Sequence, residues 1–477
     1  MKKIFTLLLL CLFSFYATAQ EVITAEDQGV TLAFVLNIAL PISVQYDVQN
    51  YKITYTTEDA FGQPDTATGL LSLPLQEDLV LPLAVYNHGT IASAELAPSV
   101  PGVVERFIVQ AFAGSGFITL APDYLGLGDN DGIHPYLHAD TEASAGRDMV
   151  VAVKAWLEQQ NIPQNEQLFV TGYSQGGHAS MALARSIEAD GSDDGLELTA
   201  AAHLSGVYDI TPPSPGLLAL NDVNSVVLSF FLNTAISYNY VYDLYGTPEE
   251  FFNEPYLTPI LQYINRETDL YTMGTEVNAL LQANNAVIGE IFAEQFVTDV
   301  LDSDADLMNA YNDNDLLDYA PAAPTLLYYC NADMTVAPGN SIEAEVALRT
   351  NGADSLLLED GGAFSHTDCA TPAAVRTLRF FQSFSNSFPV SLGNPADRPE
   401  IMLSPNPVQP GSELYLSGLS AEEQTYIIYD LSGRNVATGS TVNGGYVAIP
   451  TTLKGGVFIL RVALGDGTSV VRRFQVK

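Results

Sequence analysis

Along the first four fifths of the chain, short apolar runs alternate with longer segments of helical periodicity. NYKITYTT (50–57), ATGLLSLP (67–74), LPLAVYN (81–87), GFITLAP (116–122), LFVTGY (168–173), LTAAAHL (198–204), APTLLYYC (323–330) and DSLLLED (354–360) read as strands. Residues 141–160 and 175–189 carry apolar positions at helical spacing. Strands alternating with helices predict an α/β fold, a mostly parallel sheet flanked by helices. Residues from Thr211 to Asp318 separate two of these strands, too many for an ordinary connection, and predict an inserted helical cap. Its aromatics, among them Phe230, Phe231, Tyr238, Tyr240, Tyr242, Phe251, Phe252, Tyr256 and Tyr263, suit an apolar substrate wall or the cap's own core. From Ile401 the rhythm changes to short alternating strands separated by Gly, Asn and Asp turns, the pattern of a small β-sandwich.

The first residues, MKKIFTLLLLCLFSFYATAQ, place two lysines before a short apolar run and Ala17-Thr18-Ala19 after it. That is the form of a secretory signal over 1–19. The later apolar stretch Val226 to Tyr245 is interrupted by Asn233, Ser237, Asn239 and Asp243 and reads as a cap helix pair, so no transmembrane anchor is expected in the mature chain. Charge divides the remainder. Residues 20–397 hold nine Lys and Arg against 50 Asp and Glu, whereas 398–477 hold seven against six. The expected organisation is therefore a main domain over 20–387 with its cap at about 211–318, a Pro- and Gly-rich linker at 388–400, and a small domain over 401–477. So acidic a body excludes binding to nucleic acid or anionic membranes through charge.

The richest local signal is Gly172-Tyr173-Ser174-Gln175-Gly176, at the junction of an apolar strand and a small-residue helix. This spacing is that of a nucleophile elbow, which exposes the Ser174 hydroxyl and points the N–H of Gln175 at a substrate carbonyl. In hydrolases built on such an elbow the acid and the histidine follow the serine in chain order. Of the six histidines only His366 lies beyond the last acid-bearing strand, and the Gly361-Gly362 sequence before it reads as a flexible loop. For the acid, Asp333 after the APTLLYYC strand stands ahead of Asp209 after LTAAAHL. Asn331 and Asp360 read as turn residues. In Asn87-His88-Gly89-Thr90, after the LPLAVYN strand, the Thr90 N–H is the candidate second oxyanion donor. His134, His138, His178 and His203 read as structural or surface residues, and no histidine pair has zinc-site spacing. Asp302, Asp304 and Asp306 lack the glycine of a calcium loop. No metal or cofactor is expected. Cys330 and Cys369 flank Asp333 and His366, each at a distance of three residues, and in an exported protein they are expected to form a disulfide, two buried thiols being the alternative.

The segments YKITYTTEDAFGQPDTATGLLSLP, YNHGT, APDYLGLG and GYSQGG, with the Asp333 and His366 loops, resemble the secretory lipase family of α/β-hydrolases. The resemblance covers about 46–382 and implies hydrolysis of a small-molecule or lipid carboxylic ester through an acyl-enzyme. A secreted serine peptidase, or a non-catalytic surface-binding protein on the same scaffold, are the rival readings. In the tail, Ser404-Pro405-Asn406-Pro407, DLSGR at 430–434, Gly455-Gly456-Val457-Phe458 and Arg472-Arg473-Phe474 resemble the C-terminal sorting domain of type IX secretion. This implies recognition by that machinery, export across the outer membrane, and release or attachment at the cell surface.

Overall fold

The computed structural model describes residues 20–477 except 40, 41, 43, 77, 78, 190–194, 211, 303, 304, 390–401, 418–423, 430–434, 442–444 and 464–468. The expected signal segment, most of the linker and the DLSGR turn thus lie outside the described residues. A main sheet is built from β1 (Val22–Thr31), β2 (Val48–Glu58), β3 (Pro64–Pro74), β4 (Leu79–Asn87), β5 (Ile118–Pro122), β6 (Gln164–Tyr173), β7 (Leu198–Leu204), β8 (Thr325–Tyr329) and β9 (Leu356–Asp360). Its order is β1-β2-β3-β5-β4-β6-β7-β8-β9. The run from β5 to β9 is parallel, and β1 to β3 extend it antiparallel. This is the α/β-hydrolase arrangement expected. A short β10 (Phe388–Pro389) pairs with β4, so the first two residues of the expected linker belong to the sheet. β1 has no counterpart among the sequence-predicted strands: its VITAEDQGVT carries acidic and polar residues at exposed positions, and only pairing with β2 makes it a strand.

Helices α1 (Ala33–Ala39), α2 (Glu105–Gly114), α3 (Ala139–Gln159) and α4 (Gln175–Ala189) precede the cap. On one sheet face Phe112 of α2 packs with Phe117, Phe169 and residues after β9; on the other, Met149 and Val153 of α3 and Leu183 of α4 cover Val85, Leu120 and Val170. Both faces of the parallel strands are therefore buried, which is why LFVTGY and LPLAVYN read as continuous apolar runs.

The cap comprises α5 (Pro215–Leu218), α6 (Ser225–Tyr242), α7 (Pro248–Phe251), α8 (Leu257–Ile264), α9 (Leu270–Asn284), α10 (Glu294–Asp302) and α11 (Ala305–Asn312). The stretch read as a helix pair is the single helix α6, ended by Asp243 in a left-handed conformation. Tyr238, Phe251, Phe252 and Tyr256 are buried with Phe292 and Phe296 in the cap's own core, so these four hold the cap together. No helix among the described residues is long and apolar enough to cross a membrane. Helices α12 (Pro338–Asn351) and α13 (His366–Gln382) follow β8 and β9 respectively.

The tail contains β11 (Met402–Ser404), β12 (Glu413–Ser417), β13 (Thr425–Tyr429), β14 (Asn435–Ser440), β15 (Tyr446–Ala448), β16 (Gly456–Ala463) and β17 (Ser469–Val476). They form two antiparallel sheets, β11-β12-β15 and β14-β13-β16-β17. Leu414, Leu416 and Val447 of the first share one apolar core with Ile428, Leu460 and Phe474 of the second. β14, NVATGS, is too polar to read as a strand without its partner β13.

Asp148 of α3 illustrates the electrostatic cost of covering the sheet. Its Oδ2 accepts from the Thr57 hydroxyl at 2.7 Å, and burial pushes its pKa up to about 6. Because the folded value exceeds the unfolded one, the fold favours the neutral acid. That stabilisation is complete below the unfolded pKa and is lost as pH rises through 6. Asp148→Asn is therefore expected to stabilise the protein by roughly 1 to 3 kcal/mol at pH 8 and by little at pH 4. Denaturant unfolding at both pH values checks this, and equal effects at the two would contradict it.

Candidate active site

Strand β6 ends at Tyr173, and the chain turns through Ser174 at φ +60° into α4. The strain is held by the surroundings: the Ser174 N–H donates to the Leu204 carbonyl at 2.9 Å. A Cβ at position 172 would lie 2.0 Å from the Gly176 carbonyl oxygen, and one at 176 would lie 1.9 Å from that of Asn87. The glycines of the motif are thus fixed by backbone crowding on both sides of the serine. Gln175 is the first residue of α4, so its N–H has no acceptor within the helix and stands at the positive end of the helix dipole.

His366 Nε2 lies 2.8 Å from Ser174 Oγ, and His366 Nδ1 lies 2.5 Å from Asp333 Oδ2. The three residues, far apart in sequence, form one hydrogen-bonded line. Asp333, in the loop after β8, is 2% exposed, and its Oδ1 accepts from the N–H groups of Thr335 and Val336, both at 2.9 Å. Asp333, and not Asp209, is therefore the carboxylate beside His366. Asp209 instead donates its N–H to Asn340 Oδ1 at 3.2 Å. Asn331 and Asp360 do serve the turn, with Asn331 Nδ2 donating to Asp360 Oδ2 at 3.0 Å; this bond is the first cause of the Asp360 pKa being lowered.

The expectation for His366 needs one correction. It does not sit within a flexible loop but opens α13, with Ser365 as N-cap accepting from the Asp368 N–H. The Ser365-x-x-Asp368 spacing is a helix-start signal, masked in the sequence by the preceding glycines. Cys369, in the first turn of α13, is disulfide-bonded to Cys330, the residue after β8. The bond joins the element carrying the histidine to the loop carrying the acid.

Tyr173 adds a contact that the motif alone did not suggest. Its hydroxyl donates to the His366 carbonyl at 2.5 Å, and its ring lies 5.1 Å from the imidazole. Burial pushes the Tyr173 pKa up, so the phenol keeps its proton for this bond. The only signal was its place beside Ser174.

Thr90 and Gln175 both line a cleft, together with Leu127, Ile133, Tyr136 and Ile236. Of the cap aromatics singled out by sequence, Tyr263 lines it. A Cβ on Gly89 would lie 3.2 Å from the Tyr173 carbonyl oxygen, so the Thr90 loop runs directly against the elbow. The Thr90 hydroxyl shares a hydrogen bond with Tyr136 at 2.9 Å. None of Ser174, Asp333 and His366 lines the cleft, which reaches the elbow at Gln175. The four histidines read as structural or surface residues are all buried. Among the described residues, no group of three or more His, Cys, Asp and Glu side chains is arranged to hold a metal ion.

No protein-family model matches the chain, and no curated protein matches it by sequence. Solved structures do. A presumed hydrolase from Legionella pneumophila is 25% identical with a TM-score of 0.66, over 76% of this chain and 98% of its own. A ligand-bound form of LipA, a rice cell wall degrading esterase from Xanthomonas oryzae, is 25% identical with a TM-score of 0.62, over 76% and 97%. Candida antarctica lipase A shares the fold at 14% identity and a TM-score of 0.51, over 72% and 77%. The chain is similar to hydrolases of the lipase and esterase type.

Proposed function

We propose that the protein is a secreted serine carboxylic-ester hydrolase working through an acyl-enzyme. The observation that carries this reading is the hydrogen-bonded line from Ser174 through His366 to Asp333. His366 Nε2 takes the hydroxyl proton as Ser174 Oγ attacks the ester carbonyl carbon. The electron pair displaced onto the carbonyl oxygen is received by the N–H groups of Gln175 and Thr90. Asp333 holds Nδ1–H of the imidazole and balances the imidazolium charge. On collapse, the C–O bond to the alcohol breaks and His366 returns the proton to the leaving alkoxide. Water, deprotonated by the same nitrogen, then releases the acid and restores Ser174.

Because the leaving alkoxide must face His366, the acyl group points away from it. The cleft lined by Thr90 and Gln175, without His366, is accordingly assigned to the acyl chain. In this reading residues 20–387 are the catalytic domain, and 401–477 a type IX sorting domain that directs the protein to the cell exterior. The motifs supporting the latter are SPNP at 404–407 and the final RRF at 472–474. Deleting 398–477 is expected to stop appearance in the medium or at the surface of the producing bacterium, read by cell fractionation; unchanged export would dismiss the sorting role.

Hydrolysis of p-nitrophenyl esters of increasing acyl length by the full chain tests the enzymatic reading. The rate is expected to pass through an optimum set by the cleft. Inactivity on every ester, with a peptide substrate cleaved, would replace the esterase by a peptidase.

A further inference from the structure

A backbone N–H does not require a particular side chain, yet the Gln175 side chain is only 2% exposed and is held from two directions. Its Nε2 lies 2.8 Å from His134 Nε2 and 2.8 Å from Glu142 Oε1. His134 Nδ1 faces the Leu125 carbonyl oxygen at 2.7 Å. That oxygen can only accept, so Nδ1 carries the hydrogen and Nε2 receives one from Gln175. Burial brings the His134 pKa down to about 4 and keeps the ring in this neutral form. The amide hydrogens of Gln175 are therefore directed to two fixed acceptors.

The second acceptor is itself fixed. Glu142, in the first turn of α3, places Oε2 2.6 Å from His178 Nδ1, while His178 Nε2 faces the Asn314 carbonyl oxygen at 2.9 Å. The carbonyl obliges Nε2 to carry a hydrogen, and one further proton is shared between Nδ1 and the carboxylate. Glu142 is 1% and His178 0% exposed, so water cannot replace either partner. Asn314 belongs to the return from the cap. Its Oδ1 accepts from the Ala139 N–H at the start of α3, and its Nδ2 donates to the Tyr242 hydroxyl at 2.9 Å and the Ala310 carbonyl at 2.7 Å. One buried chain of hydrogen bonds thus runs from the ends of α6 and α11 to the residue after the candidate nucleophile. The acyl-transfer steps described above use none of it.

We propose that Glu142 and His178 are positioning residues, which hold the Gln175 peptide through its side chain so that its N–H stays aimed at the developing oxyanion. The inference rests on the serine-hydrolase reading of Ser174. Its physical basis is that the Gln175 N–H, unlike the Ser174 carbonyl of the same peptide, which accepts from the Gly177 and His178 N–H groups, makes no bond within the helix, whereas an oxyanion donor is effective only if already in place when charge develops. α4 holds that peptide at the Ser174 carbonyl; the Glu142 carboxylate adds a second hold, through the Gln175 side chain.

The test measures labelling of Ser174 in the full chain by a fluorophosphonate, which needs a nucleophile and an oxyanion site but no particular ester. It is run alongside kcat and KM for p-nitrophenyl acetate. Glu142→Ala is expected to slow labelling and kcat by about 10- to 100-fold, less than outright loss of a donor, with KM within about threefold. Glu142→Gln is expected to recover most of the loss, because an amide can accept from Gln175 and donate to neutral His178. A folded Glu142→Ala labelled at the parental rate overturns the proposal and leaves the hydrolase reading standing. So does a Glu142→Gln as slow as Glu142→Ala. Failure of the parent to label removes the hydrolase reading and this inference together. Where Glu142→Ala does not fold by circular dichroism, Gln175→Met carries the same test, since it deletes the side-chain bonds and keeps the N–H. It is expected to be slowed likewise, and a parental rate overturns the proposal.

Discussion

Ser174→Ala is expected to lower kcat for ester hydrolysis by about 10⁴- to 10⁶-fold while leaving the fold intact. In the proposed mechanism Oγ forms the new bond, and the His366 imidazole 2.8 Å away has no other proton to take on the attacking side. The backbone crowding that forces the elbow concerns Gly172 and Gly176, so an alanine between them keeps the turn. His366→Ala should reach nearly the same floor, and the double variant should fall little further, because residues acting as a unit are not additive. The remaining rate is what the proposed Gln175 and Thr90 donors and the cleft would supply by themselves. The assay is p-nitrophenyl ester turnover with stopped fluorophosphonate labelling as a second readout. Retention of more than about a tenth of the parental kcat by a purified Ser174→Ala would rule out Ser174 as the nucleophile.

Removing the disulfide should have the largest effect on stability. Cys330 and Cys369 are 39 residues apart and both are fully buried. Closing a loop of that length lowers the entropy of the unfolded chain by an amount equivalent to about 4 kcal/mol. The double variant Cys330→Ala, Cys369→Ala is expected to unfold at correspondingly lower denaturant, measured by circular dichroism or tryptophan fluorescence. The Asp333 loop and the start of α13 meet through the His366 contact, the disulfide and turn bonds such as Asn331 to Asp360. Activity should therefore decline at temperatures below the main unfolding transition, as the acid and histidine separate first. An unchanged unfolding midpoint would show that the cross-link contributes nothing, and an unchanged temperature profile of kcat would show that it does not hold the site.

The legibility of the site in sequence had a local cause. Gly172-Tyr173-Ser174-Gln175-Gly176 is readable because its constraints act within a few residues: only glycine tolerates the backbone carbonyls on both sides of the turn. His366 followed from chain order, since no other histidine lies beyond the acid-bearing strand. Asp333 and Asp209 both lie in loops after strands of the same sheet, and local pattern could only rank them. Packing selected Asp333, by bringing its loop to His366 and satisfying its second oxygen with two backbone N–H groups.

Elsewhere the relevant partners are distant. β1 and β14 are strands because of the edges they pair with, not because of their own apolar content. The cap aromatics have the same composition whether they face each other or a substrate, and only the mutual packing of Phe251, Phe252, Phe292 and Phe296 shows which they do. Glu142 and His134 carry no recognisable spacing relative to Ser174, yet they meet at the Gln175 side chain from α3 and from the loop after β5, while His178 of α4 bonds Glu142. The sequence by itself determined most strands of the main sheet, the glycine-bracketed turn at Ser174 and the chain order of Ser174, Asp333 and His366, because backbone sterics and hydrophobic periodicity are short-range along the chain. The tertiary structure alone decided which carboxylate meets the histidine, where the cleft lies and what holds the residue beside the serine. Those outcomes depend on hydrogen bonds and burial between segments as much as 193 residues apart, for which no local pattern exists.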